Sequence, residues 1–128
     1  MPDQTDARRR ARWPARVYGV GREPDPRFTF ANERTFLAWL RTALALVVAG
    51  VAVDVLAESG DAAAGAYRPL AAALIVLGMA ASAAAFARWM ANERAMRRRE
   101  PLPGLGLGTV LAGGIAVVAL GLVLLILL

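Results

Sequence analysis

Between Thr35 and Val53 only Arg41 carries a charge, and every other residue is apolar, small or a threonine. A helix rises about 1.5 Å per residue, so about 20 such residues cross the hydrocarbon core of a bilayer. Lipid offers the backbone no hydrogen bonds, and a lone apolar run satisfies its own polar groups only as a helix. Two more runs of this kind follow. Leu70–Trp89 carries one charge, Arg88, and Leu105–Leu128 carries none. The 128 residues are 58% hydrophobic, against about 45–50% for an ordinary soluble domain. These observations predict an all-α membrane protein with three transmembrane helices, at about 26–57, 70–100 and 105–128.

Local signals set the boundaries. In "EPDPRF" at 23–28, Asp25 suits a helix cap and Pro26 the first helical position. Nothing then breaks the helix until "ESGD" at 58–61, so its first two turns reach beyond the apolar run. A polar turn over 58–69 ends in Tyr67, Arg68 and Pro69. The second helix continues through "RWMANERAMRRREP" until Pro101 and Pro103 stop it. "GLGLG" at 104–108 lacks the spacing and the preceding strand of a nucleotide-binding loop, and reads as a helix start built of small residues. Residues 1–24 lack periodicity and read as a mobile basic cytoplasmic tail; residues 25–128 form the three-span domain. The cluster "RRRAR" at 8–12 is not followed by the apolar stretch of a secretory signal, so targeting is expected from the later segments.

Charge orients the chain. Eight arginines lie in residues 1–34 and five in 88–99, whereas the 58–69 turn has only Arg68 beside Glu58 and Asp61. The positive-inside rule then places the N-terminus and the second basic stretch in the cytoplasm and the C-terminus outside. Phe28, Phe30, Phe36, Trp39 and Trp89 are expected at the inner interface and Tyr67 at the outer one. The bilayer and its anionic lipids are the first expected partners. The arginine-rich tail adjoins a membrane segment without any nucleic-acid-binding fold, so no nucleic-acid partner is expected.

The chain contains no Cys, His or Lys. The usual ligands of zinc and haem are missing, as is a thiol nucleophile. Ser59 and Ser82 have no His or Lys to act as base, and the carboxylates sit near the interfaces. No catalytic residue, metal or cofactor is expected, and the chain does not read as an enzyme.

The charged residues of the first helix are the candidate site. Arg27, Arg34 and Arg41 are spaced by seven, nearly two helical turns, which sets them on one face about 10 Å apart. Glu33 adjoins Arg34. Such a stripe can line an anion pathway, form a subunit contact, or snorkel to lipid phosphates. The tetrapeptide "ANER" occurs at 31–34 and again at 91–94, at the start of one helix and the end of the next, so the two copies reach the same membrane face and can meet. Glu93 and Arg94 of the second copy are a candidate second inner-surface contact. Glu93 and Arg97 read as a solvated i,i+4 pair worth a few tenths of a kcal/mol. Gly78 and Ser82, and Gly114 and Gly121, are small residues at contact spacing, within one protomer or between copies.

The stretch "WPARVYGVGREPDPRFTFANERTFLAWLRTALAL" resembles the YidH family of small bacterial inner-membrane proteins, most specifically over Pro26–Leu46. The resemblance implies a plasma-membrane location and no established activity. The same motif is similar to the transmembrane domain of the vacuolar transporter chaperone, a polyphosphate polymerase and channel complex. There a basic residue and the Glu and Arg of the motif stand at the pore entrance of a multi-subunit ring, positions matched here by Arg27, Glu33 and Arg34. The catalytic tunnel and phosphate-sensing domains of that complex have no counterpart in these residues, and Arg41 stands where that motif is not basic. The resemblance implies a ring-forming helix architecture more than polyphosphate transport; any solute it implies is an anion such as phosphate or polyphosphate. Two functions compete: a homo-oligomer whose stripe of Arg27, Glu33, Arg34 and Arg41 faces an anion pathway or a subunit contact, and a non-conducting accessory or scaffold subunit of a larger membrane complex.

Overall fold

A computed structural model describes residues 12–58, 64–104 and 106–127. The described residues form four helices and no strand: α1 (Ala15–Tyr18), α2 (Pro26–Glu58), α3 (Ala64–Arg98) and α4 (Gly106–Leu127). The start of α2 follows its sequence signal. The carboxylate of Asp25 accepts the N–H of Arg27 at 2.9 Å, and its carbonyl accepts the N–H of Phe28 at 3.0 Å. Two donors that the first turn would leave unpaired are thereby satisfied.

The boundaries of α3 differ from the sequence reading at both ends. The helix begins at Ala64 rather than near 70, so Tyr67 and Arg68 are helical and Pro69 lies inside the second turn. The N–H that Pro69 lacks would have bonded the carbonyl of Gly65, and a single bond lost beside a helix end interrupts little. The rest of the expected polar turn, residues 59–63, lies outside the described residues. At the other end the helix stops at Arg98, before either proline acts. Arg99 turns left-handed, with φ 57°. The N–H of Glu100 then bonds the Ala95 carbonyl at 2.9 Å and that of Arg99 the Met96 carbonyl at 3.2 Å. This pair of bonds closes the last turn on itself, with an arginine where glycine is usual.

The apolar runs are bare. α2 and Tyr67–Arg98 of α3 are long and apolar enough to span a membrane, and their most apolar 18-residue windows have mean hydropathies of 2.1 and 2.2. Only 11% and 22% of their most apolar windows are buried, so they are not the core helices of a water-soluble fold. Gly108–Leu124 of α4 is a shorter apolar stretch. Leu44, Val48, Val76, Met79 and Val117 all present their side chains outward, a surface that lipid accepts and water does not.

The chain divides into two compact units, Met1–Phe36 with Phe86–Gly104, and Leu37–Ala85 with Leu105–Leu128. In the second unit α2 and α3 meet through small residues. A Cβ on Gly78 would lie 2.7 Å from the Ala43 carbonyl oxygen, and one on Gly50 would lie 2.8 Å from that of Ala71. Ala43 and Ala71 at these contacts are buried, as are Ala57 and Ala81. Backbones that approach this closely gain dispersion contacts, the main attraction between helices in lipid. α4 joins through Gly114, whose added Cβ would stand 3.0 Å from Leu77, whereas one on Gly121 would meet nothing within 4 Å. Of the small residues noted in the sequence, Gly78 and Gly114 thus serve packing within the protomer.

The first unit changes the reading of the N-terminal segment. Residues 1–11 lie outside the described residues, but 12–24 pack as structure of their own instead of trailing as a tail. Val17 of α1 is fully buried. The Trp13 ring stacks on Phe86 at 6.0 Å, Phe86 stacks on Trp89 at 5.8 Å, and Phe36 tilts against both. Gly21 takes φ 63°, and a Cβ there would overlap the Arg97 carbonyl, which also accepts the N–H of Arg22 at 3.0 Å. The sequence shows no periodicity here because isolated residues make the contacts, not a repeating helical face. Phe36 and Trp89 enter the ring cluster, while Phe28 and Phe30 are exposed.

Candidate functional site

The two "ANER" copies meet, and their asparagines join them. The Asn92 amide donates to the Asn32 side-chain oxygen at 3.1 Å, and the Asn32 amide donates to the Trp89 carbonyl at 3.1 Å. Asn32 is 7% exposed. α2 brings Asn32 and Thr29 to this contact, three residues apart and hence on one side of the helix. α3 brings Trp89, Asn92, Glu93 and, one turn further, Arg97. The Thr29 hydroxyl donates to Glu93 Oε1 at 3.3 Å.

Glu93 has no exposed surface and Arg97 is 4% exposed. The Arg97 Nε stands 3.4 Å from Glu93 Oε1, a charge contact without hydrogen-bond alignment. Its Nη2 lies 3.5 Å from Glu23 Oε1, and its guanidinium covers the Tyr18 ring at 4.7 Å. Glu23 also pairs with Arg12 at 2.9 Å. The expected solvated Glu93–Arg97 pair is therefore buried, because α1 and the segment after it close over the end of α3. Burial changes the energetics: each partner loses hydration and now depends on the other. The second carboxylate oxygen of Glu93 is buried and receives no hydrogen bond.

The other sequence candidates are placed differently. Arg27, Glu33 and Arg34 in the first unit, and Arg41 in the second, are exposed, and the side chain of none of them makes an ion pair or hydrogen bond among the described residues. The hydroxyls of Thr35 and Thr42 bond back to the carbonyls of Ala31 and Ala38. Arg94 is half-buried and walls a cavity of about 430 Å³ with Arg16 and Arg98. The two tetrapeptides meet through Asn32 and Asn92 and not through the charged residues expected to carry the contact. An asparagine repeated at the same place in both copies was the available signal. Nothing in the sequence marked Thr29, Glu23 or Tyr18.

Replacing Asn32 with alanine leaves the Trp89 carbonyl and the Asn92 amide without these partners. The expected loss is about 1–3 kcal/mol of stability, measured by thermal unfolding in mild detergent. Arg34→Ala, on the exposed side, is the comparison and should stay within about 0.5 kcal/mol of the parent. Equal losses in the two variants would remove the asparagine bridge from the account.

Known proteins resemble this chain in sequence. DUF202, a domain of unknown function, matches residues 27–95. The chain belongs to the DUF202 family. The matched residues of the DUF202 domain hold Thr29, both tetrapeptides and their asparagine bridge, while Arg97 and α4 lie beyond them. The inner membrane protein YidH of Escherichia coli K-12 is 43% identical over 113 residues, covering 85% of this chain and 96% of the relative. YidH of Shigella flexneri gives the same figures. An uncharacterised protein of Mycobacterium tuberculosis H37Rv is 47% identical over 96 residues, covering 75% of this chain and 78% of its own. No solved structure matches the chain. The expected family and location hold: this DUF202 chain is an inner-membrane protein.

Proposed function

We propose that this DUF202 protein forms a homo-oligomer of three-span subunits, N-terminus cytoplasmic and C-terminus outside, with the basic face of α2 lining an anion pathway. Arg41 carries the reading. It lies within an apolar run, is exposed on its protomer, and has no ion-pair partner among the described residues. A charge at the centre of a membrane helix costs about 2.5–3.5 kcal/mol on insertion scales, so compensation must come from outside the protomer. A neighbouring copy, hydrated anions or a lipid phosphate reached by the side chain can supply it. Ala38, Thr42, Ala45 and Ala49 are exposed at helical spacing around Arg41, and small residues let a second helix approach closely. The resemblance of Arg27, Glu33 and Arg34 to the entrance residues of the vacuolar transporter chaperone ring supports phosphate or polyphosphate as the anion class.

The test uses the full chain reconstituted in vesicles, alongside Arg41→Leu and Arg34→Gln. Native mass spectrometry reads the assembly, and phosphate or polyphosphate flux reads conduction. The expected result is a homo-oligomer whose flux falls at least tenfold in Arg41→Leu. An oligomer that needs Arg41 to assemble but does not conduct makes the stripe a subunit contact. A monomer indifferent to both substitutions ends the proposal, and a different protein bound at fixed ratio supports the accessory-subunit reading instead.

A further inference from the structure

A second basic feature lies apart from the α2 stripe and does not depend on oligomerisation. Arg16 from α1 and Arg94 and Arg98 from α3 wall a cavity of about 430 Å³, which a single carboxylate, Glu100, also lines. Arg16 and Arg94 have no ion-pair partner among the described residues. Arg98 meets Glu100 only at 3.9 Å, with both side chains exposed. Three guanidinium groups against one carboxylate leave the cavity with an excess of positive charge.

The walls are graded. Ala87, Met90 and Ala91 line the cavity at i, i+3 and i+4, and Arg94 and Arg98 continue the same helix face at i+7 and i+11. The apolar part of the face adjoins the apolar run of α3, and the basic part lies towards its charged end. A free anion has no use for an apolar wall. A phospholipid does, because its glycerol and upper acyl chain continue from the phosphate towards the hydrocarbon. The order of residues along α3 matches the order of groups along such a lipid. Arginine's planar fork also binds phosphate oxygens in pairs.

We propose that this cavity binds the headgroup phosphate of an anionic phospholipid, held by Arg16, Arg94 and Arg98 with its glycerol and acyl start against Ala87, Met90 and Ala91. The test places the full chain in nanodiscs of phosphatidylglycerol and phosphatidylethanolamine and measures, by native mass spectrometry after gentle extraction, the phospholipid that stays bound. Retained phosphatidylglycerol should fall at least fivefold in Arg16→Gln/Arg94→Gln. Met90→Gln, which alters no charge, should also reduce it severalfold, and Arg68→Gln should leave it unchanged. Thermal unfolding checks that each variant folds. If Met90→Gln folds like the parent and keeps all its lipid, or if inorganic phosphate displaces the phosphatidylglycerol, the site takes a free anion and the proposal fails. Retention unchanged in the folded double arginine variant would overturn it as well.

Discussion

Arg97→Ala is expected to cost about 3–5 kcal/mol, the usual loss when one partner of a buried ion pair is removed. The size follows from what stays behind. Glu93 has no exposed surface, and without Arg97 its charge is met only by the Thr29 hydroxyl. Glu23 loses its contact with Arg97, and Tyr18 loses the guanidinium lying 4.7 Å over its ring. Native proteins are stable by about 5–15 kcal/mol, so the change removes a large part of the margin. The apparent melting temperature in mild detergent should drop sharply, and limited proteolysis should cut within 12–24 well before the parent is cut. Arg99→Ala, an exposed arginine two residues on, should do neither. The double change Glu93→Leu/Arg97→Met should recover much of the loss, because it removes both charges together. If Arg97→Ala and Arg99→Ala behave alike, the buried pair holds nothing together.

Gly78→Leu should be comparably damaging in the other unit. The first added carbon would stand 2.7 Å from the Ala43 carbonyl oxygen and 2.7 Å from Val47 Cγ2. Val47 can rotate, but a carbonyl inside a continuous helix cannot move without its neighbours. Overpacking of this kind costs about 1–3 kcal/mol and sometimes more, and leucine adds three carbons beyond the first. The expected outcome is a lower melting temperature together with a larger aggregated fraction than the parent in size-exclusion chromatography. Gly121→Leu is the matched comparison on α4, where an added carbon meets nothing within 4 Å. A Gly78→Leu protein as stable as Gly121→Leu would mean that α2 and α3 do not meet at Gly78.

Helix content was legible because it follows from local rules. Asp25 and Pro26 announce the start of α2, and the apolar run ahead of them leaves the backbone no alternative in lipid. The ends of α3 were less legible. A proline in the second turn and a left-handed arginine at the end are both exceptions to usual preference, tolerated where only one or two hydrogen bonds are affected. For the candidate site, the seven-residue spacing of Arg27, Arg34 and Arg41 gave the stripe, and the structure adds that all three are exposed. The spacing of Glu93 and Arg97 gave their pairing but not its burial. An i,i+4 pair looks the same in sequence whether water or another segment lies above it.

The sequence alone determined that the chain is helical and suited to a membrane, since length, hydropathy and caps act over neighbouring residues. It also named the two "ANER" copies and placed them on one membrane face. Only the tertiary structure decided which of their residues do the joining: Asn32 and Asn92 bond across the helices, Glu93 and Arg97 are sealed by the segment at 12–24, and Glu33 and Arg34 face outward. The glutamates of the two copies have opposite fates: Glu33 is exposed and Glu93 is buried. Burial depends on which distant segment closes over a residue, and no local pattern carries that information.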